Sequence, residues 1–266
     1  MGTGQPAPGL TATLRRVSAP PLLEATDLTV RFGGVVAVDH LALAVAPRSL
    51  VGLIGPNGAG KTTTIDALTG FVPHQGRITL GSRNLDGRDA HERARLGLVR
   101  TWQSLELFDD LTVRENCLVA AVPPGWLAMA RDLVAPGRAG EASAADDALE
   151  LLGLGPIANR RPTELSLGER KLVAVARALA QRPRVLLLDE PAAGLDTTES
   201  MVLGERLRAL LDLDLAILLV DHDMGLVLSV CDRVVVLDFG QVLAEGPPAA
   251  IRSDPRVVEA YLGASA

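Results

Sequence analysis

Gly55-Pro-Asn-Gly-Ala-Gly-Lys-Thr62 constrains this chain more than any other stretch of its 266 residues. Gly55, Gly60, Lys61 and Thr62 satisfy the pattern G-x-x-x-x-G-K-[ST]. Ahead of it, Ser49-Leu-Val-Gly-Leu-Ile54 is an apolar run of strand length. Behind it, Thr62–Gly70 reads as a helix stopped by glycine. A strand, a glycine turn and a helix start, in that order, call for an α/β layout with a parallel sheet. They also build an anion cradle. Glycines let the backbone approach closely and turn its N–H groups toward phosphate oxygens, and the helix N-terminus adds its positive dipole end. Gly55, Pro56, Asn57, Gly58, Ala59, Gly60, Lys61, Thr62 and Thr63 form the expected contact set for a nucleotide's phosphates. Lys61 supplies a point charge to the β- and γ-phosphates, and the Thr62 hydroxyl is offered to Mg²⁺.

Arg184-Val-Leu-Leu-Leu188 is a continuous apolar run, as expected of a strand buried on both faces of a parallel sheet. Asp189 and Glu190 stand at its C-terminal end, where open α/β sheets bind ligands. Beside the phosphate loop, Asp189 is expected to hold Mg²⁺ and Glu190 to polarise an attacking water.

The rest of the chain divides by texture. Residues 1–21 are rich in Gly, Pro, Ala and Thr, lack an apolar signal-peptide core, and read as a disordered leader outside the fold. Leu22–Phe32 alternates and meets Gly33-Gly34, a hairpin-like start. Val35–Ala46, Ser49–Ile54, Gly76–Gly81 and Leu98–Trp102 read as strands, and Asp89–Leu96 as a helix. From about residue 104 to 164 the chain is Ala/Leu-rich and helical, over Val113–Ala121, Trp126–Val134 and Ala142–Leu152. Strand-helix alternation then resumes: helix Leu167–Gln181, strand Val185–Leu188, helix Thr197–Leu211, strand Leu215–Val220, helix Met224–Val230, short strands Val234–Leu237 and Val242–Ala244, and a closing helix Pro248–Leu262.

Hydrophobic residues make up 48% of the chain, yet no apolar run is long enough to span a bilayer. Any membrane association must therefore run through partner proteins. A net charge of −6 without a basic cluster gives no footprint for nucleic acid. Two cysteines, Cys117 and Cys231, suit a reducing compartment and read as small buried hydrophobes.

Leu165-Ser-Leu-Gly-Glu169 resembles the signature motif of ABC-type ATPases. Further pieces follow in that family's order. Gln103, in Arg100-Thr-Trp-Gln103, resembles the Q-loop glutamine; Gly194-Leu-Asp196 resembles the D-loop; His222 resembles the switch histidine; and Phe32 resembles the aromatic that stacks on adenine. The likeness runs from about Leu22 to the C-terminus. It implies a phosphate-loop ATPase fold of ABC type over residues 22–263: a mostly parallel core sheet, an antiparallel β subdomain and a helical subdomain at about 104–164. It implies ATP and Mg²⁺ as ligands, with Gln103 reaching the metal or the water and Glu190 and His222 acting on the γ-phosphate. It also implies that Ser166 and Gly168 cap the ATP of a second ABC ATPase, identical or different, and that Asp196 belongs to the nucleotide-binding set. The family's usual string is LSGGQ; Leu167 and Glu169 depart from it, while the serine and second glycine are kept.

Arg-Thr-Trp-Gln103, Glu190-Pro-Ala-Ala-Gly-Leu195, Asp221-His-Asp-Met224 and the ending Val258–Gly263 are similar to the ATPases of branched-chain amino-acid importers. That likeness implies a subunit on the cytoplasmic face of the membrane, peripheral through two transmembrane permease subunits, which receive solute from an extracytoplasmic binding protein. Leu105, Leu107 and Phe108 are then expected to face the permease. Urea, amide and lipopolysaccharide-transport ATPases share parts of the pattern. A soluble ABC ATPase of DNA repair or ribosome work also stays open, although the second cassette, coiled coil or zinc insertion usual there is missing. A phosphate-loop kinase would not need Leu165–Glu169.

Overall fold

The computed structural model describes residues 20–102, 106–121 and 139–263. Residues 1–19 of the expected leader, Gln103, Leu105 and the expected helix Trp126–Val134 lie outside the described residues. The first half runs β1 (Leu23–Phe32), β2 (Val35–Val45), β3 (Leu50–Ile54), α1 (Lys61–Thr69), β4 (Gln75–Leu80), β5 (Arg83–Asn84), α2 (Ala90–Arg95), β6 (Leu98–Arg100) and α3 (Val113–Ala121). The second runs α4 (Ala139–Leu151), α5 (Leu167–Leu179), β7 (Val185–Asp189), α6 (Thr197–Ala209), β8 (Ala216–Val220), α7 (Met224–Val230), β9 (Arg233–Asp238), β10 (Gln241–Gly246), α8 (Pro248–Arg252) and α9 (Pro255–Gly263).

Two sheets result, one of four strands in the order β2-β1-β4-β5 and one of six in the order β10-β9-β3-β8-β7-β6. The first is antiparallel throughout. The second is parallel except for β10, which runs antiparallel to β9. This is the layout the alternation of strands and helices called for, with the hairpin Phe32–Val35 closing on Gly33-Gly34 as expected.

The central strands β3, β7 and β8 are buried at every position, and their two-residue periodicity divides them between two cores. Leu50, Ile54, Leu186, Leu188, Ile217 and Leu219 face a helical layer that includes Val113, Cys117, Ala148, Leu149, Val173 and Ala176. Val51, Leu53, Val185, Leu187, Ala216 and Leu218 face β1, β2, β4 and α1 through residues such as Leu28, Val38, Ile65 and Ile78. Each fully buried Leu or Ile contributes roughly 1.5–3 kcal/mol relative to exposure, so continuous apolar strands are what hold both layers on one sheet. Cys117 belongs to the first core, where burial pushes its thiol up to about 12.

Two local departures from the expected elements have physical causes. The closing helix is two, α8 and α9, separated by Ser253 and Asp254. Pro255 cannot donate a backbone hydrogen bond and disfavours helical geometry at the residue before it. Asp254 then accepts from the Arg256 N–H at 2.9 Å, which fixes the new start. Leu107, expected to be exposed, is partly buried against the helical core, whereas Phe108 remains exposed.

The end of the phosphate-loop helix depends on a residue no motif contains. Arg93 is 2% exposed. Its Nη1 donates to the carbonyls of Ala67 and Leu68 at 2.8 Å each, and its Nε donates to the Arg88 carbonyl at 3.0 Å. The last carbonyls of a helix have no partner within it, and a cation there opposes the dipole's negative end. Arg93→Met is expected to lower folding stability by roughly 3–5 kcal/mol, because it strips charged donors from buried acceptors. Urea unfolding midpoints of the two proteins measure this, and equal midpoints would contradict the assignment.

Candidate functional site

Register places the C-terminal ends of β3, β7 and β8 side by side. Leu53 and Asp189 each pair with Val220. The segments leaving those ends, 55–60, 190–195 and 221–223, therefore converge on one edge of the sheet. Lys61, Asp189, Glu190 and His222, which lie far apart in sequence, meet there.

The loop after β3 is clamped from two sides. A Cβ at Gly55 would stand 2.2 Å from the Leu237 carbonyl oxygen, and one at Gly60, whose φ is +100°, 2.4 Å from the Ala37 carbonyl oxygen. Neither position admits another residue without moving backbone. Gly240 N–H donates to the Ala59 carbonyl at 3.0 Å, which ties the β9–β10 turn beneath the loop. Lys61 is buried, and its Nζ donates to the carbonyls of Gly55 at 2.7 Å and Pro56 at 3.0 Å. Burial lowers its pKa, opposed by Glu190, Asp189 and Asp221. The loop thus already holds a cation folded back over it. Phe32, half exposed, ends β1 on the hairpin whose β2 strand crosses Gly60. Tyr261 of α9 lies at the other end: burial pushes its phenol up to about 12, with the Gly55 backbone working against the rise.

At the end of β7, Asp189 is 2% exposed. Arg100 Nη2 donates to its Oδ2 at 3.1 Å. Its Oδ1 is buried and has no hydrogen-bond partner among the described residues. Burial raises the Asp189 pKa, with Arg100 working against the rise. A buried carboxylate oxygen with nothing to bind among the described residues, on a strand that packs against α1, is a donor that fits a hard divalent cation. Glu190 sits in the left-handed region at φ +49°. Its N–H donates to the Val220 carbonyl at 2.7 Å, while its carbonyl accepts from Ala193 N–H at 3.2 Å and Lys171 Nζ at 3.3 Å. A non-glycine residue in that region is held there by its surroundings, and such strain gathers at functional sites. His222 Nδ1 lies 4.0 Å from Glu190 Oε2 and 3.7 Å from Asp221 Oδ1. Asp221 is fully buried and accepts from the N–H groups of Ala192 at 3.0 Å and Asp223 at 2.9 Å, so it braces both acidic turns.

Ser166 begins α5 as its N-cap. Its Oγ accepts from Glu169 N–H at 3.2 Å, and Glu169 Oε2 accepts from Ser166 N–H at 2.8 Å. The departure at Glu169 is thus the second half of a capping box. Because the Ser166 oxygen accepts within the box, its own O–H proton stays available to an outside acceptor. Gly168 presses on Glu199, where an added Cβ would meet Oε1 at 3.0 Å, and Leu167 touches Gly194. Asp196 caps α6 by accepting from Glu199 N–H at 2.8 Å. The signature therefore rests on the segment Gly194–Glu199. Lys171 stands in no motif, and Arg100, Asp221 and Tyr261, which stand in motif strings, carry contacts to which the sequence had assigned no role.

The family model described as ABC transporter matches residues 38–193, and the one described as Branched-chain amino acid ATP-binding cassette transporter matches residues 241–266. The chain is 43% identical over 250 residues to the High-affinity branched-chain amino acid transport ATP-binding protein LivG of Salmonella typhimurium, across 91% of this chain and 98% of that protein. It is 42% identical over 253 residues to BraF of Pseudomonas aeruginosa, named in the same way, across 91% and 98%. The Lipopolysaccharide export system ATP-binding protein LptB of Acidithiobacillus ferridurans is 36% identical over 243 residues, across 91% and 97%. Among solved structures, the ADP conformation of MJ1267, an ATP-binding cassette of an ABC transporter, superposes with a TM-score of 0.82 at 30% identity, across 91% of this chain and 99% of that one.

Proposed function

The chain belongs to the ABC transporter family of ATP-binding cassettes, and from that premise we propose that it hydrolyses ATP to drive import of branched-chain amino acids or a related small polar solute. The observation that carries the reading is the convergence of Lys61, Asp189, Glu190 and His222 on one sheet edge, in a chain whose signature helix rests on a different segment. The match over residues 241–266 supports the solute class. The likeness to the lipopolysaccharide export protein is lower, at 36% identity.

In this mechanism Phe32 stacks on adenine. The N–H groups of Gly58–Thr63 take the phosphates, and Lys61 turns from the Gly55 and Pro56 carbonyls to the β- and γ-phosphates. Thr62 and Asp189 would hold Mg²⁺, with Gln103 reaching toward it, and the ion would supply positive charge against the phosphates. Glu190 accepts a proton from water as the water oxygen bonds to the γ-phosphorus. The bond from phosphorus to the bridging oxygen breaks, leaving ADP and phosphate. His222 donates a hydrogen bond to the γ-phosphate. Ser166 and Gly168 cap the ATP of a second ABC ATPase, with Asp196 between them. Phe108, exposed beneath the Arg177 guanidinium at 5.4 Å, belongs to the face offered to the permease pair. Among the described residues no helix is long and apolar enough to cross a membrane, which suits attachment through those subunits.

The test is uptake in proteoliposomes holding the transporter co-purified with this chain, with its solute-binding protein outside and ATP inside. Leucine should accumulate, isoleucine and valine should compete, and Lys61→Ala should reduce uptake to background. ATP turnover without uptake of leucine, urea or short amides would overturn the importer reading.

A further inference from the structure

We infer that Arg100 is the positioning residue that presents Asp189 to the metal and links that carboxylate to the exposed face of Trp102. The inference rests on the reading of Asp189 as a metal ligand.

Arg100 ends β6 with its side chain 7% exposed. Its fork is shared between two elements: Nη1 donates to Asp66 Oδ1 of α1 at 2.6 Å, and Nη2 to Asp189 Oδ2 of β7 at 3.1 Å. One guanidinium therefore ties the phosphate-loop helix to the acidic strand. Holding Oδ2 fixes the rotation of the Asp189 carboxylate and leaves Oδ1, the buried oxygen without a partner, as the one available to a cation. A lysine could not do this, since a point charge does not span two carboxylates in a fixed plane.

The other side of the guanidinium is aromatic. It lies 4.3 Å from the Trp102 ring centroid and 5.6 Å from that of Phe71, and the two rings meet edge to face at 5.1 Å. Both rings are about half exposed, Trp102 at 48% and Phe71 at 51%. These cation–π contacts hold the guanidinium on its aromatic side while the two carboxylates hold it by hydrogen bonds. A cavity of about 150 Å³ opens beside this stack, lined by Arg100, Trp102, Glu106 and Arg177. A single side chain, three residues before Gln103, thus spans from a surface ring to the carboxylate read as the metal ligand.

The experiment titrates Mg²⁺ against binding of a fluorescent ATP analogue to the full-length chain. Arg100→Met is expected to raise the half-saturating Mg²⁺ concentration about 10–100-fold, the usual effect of removing an outer-shell partner. Affinity for the analogue in EDTA should change little, because the loop's own contacts remain. Arg100→Lys should recover only part of the loss, and Trp102→Leu, a change at a half-exposed position, should raise the midpoint about threefold by removing the π-face. In a Trp126→Phe background Trp102 is the only tryptophan, so its emission should shift when Mg²⁺ is added with ADP, and the shift should vanish with Arg100→Met. Mg²⁺ midpoints of Arg100→Met and Trp102→Leu within twofold of the parent, while Asp189→Asn raises its own, would overturn the role of Arg100 alone. An unchanged midpoint in Asp189→Asn would overturn the metal-ligand reading, and this inference with it. Should Arg100→Met not fold, Arg100→Lys and Trp102→Leu decide by the same criterion.

Discussion

Glu190→Gln is expected to bind ATP as the parent does and to turn it over about 10²–10⁴-fold more slowly, the usual worth of a positioned base. The substitution keeps volume and shape, so the packing at the end of β7 is retained. The backbone stays where the Val220 carbonyl, the Ala193 N–H and Lys171 hold it, in the same left-handed conformation for either side chain. What changes is the atom that takes the water's proton, since an amide oxygen is a far weaker base than a carboxylate. The proposed metal ligands Asp189 and Thr62 are untouched, as is Lys61, so binding has no reason to weaken. ATP therefore persists in a closed arrangement that hydrolysis would otherwise release, and the dimer should live longer. Single-turnover phosphate release, alongside equilibrium nucleotide binding, separates the two effects. Release within a few-fold of the parent would show that another group is the base.

How much of this site could be read in the sequence follows from distance along the chain. The phosphate loop is local: a strand, a turn demanding glycine and a helix start occupy residues 49–70 without interruption. The strands β3, β7 and β8 announce themselves because burial on both faces leaves an apolar run, broken only by Asp189 at the C-terminal end of β7. The link from Arg100 to Asp66 and Asp189 spans 34 and 89 residues, and Arg93 reaches Ala67 across 26. Nothing local distinguishes those arginines from solvated ones, and only the folded register brings carboxylates and helix-end carbonyls to them. Lys171 is hidden likewise, a cation on a helix whose buried side is otherwise apolar. The break between α8 and α9 is a different case, because Pro255 stood in plain view and outweighs the helical periodicity around it. Glu169 lay in view as well, but its value as half of a capping box emerges only once Ser166 is seen as the N-cap.

Ser166→Arg is expected to leave ATP binding at the mutated chain's own loop nearly intact and to abolish hydrolysis at the site across the dimer interface. The geometry within one chain argues for the asymmetry. Ser166 and Gly168 stand on Gly194–Glu199, while Lys61 lies against Gly55 and Pro56. The start of α5, with its available Ser166 proton and its dipole, offers an anion site. An arginine there loses the cap and fills the space that a partner's γ-phosphate would enter. Removing the cap alone costs about 1 kcal/mol of helix stability, too little to unfold α5, which remains anchored through Val173, Val175 and Ala176. The decisive assay uses dimers of defined composition, with Ser166→Arg in one chain and Lys61→Ala, or its equivalent in a different partner ATPase, in the other. With these lesions on opposite chains, one composite site carries both and the second carries neither, so about half of the parent turnover should survive if the two sites fire independently. With both lesions in one chain, each composite site carries one, and turnover should be lost. The reverse pattern, with turnover surviving only when both lesions share one chain, would mean that the signature serves its own loop; that result, or equal activity in the two arrangements, would show that this chain is not half of a shared hydrolysis site.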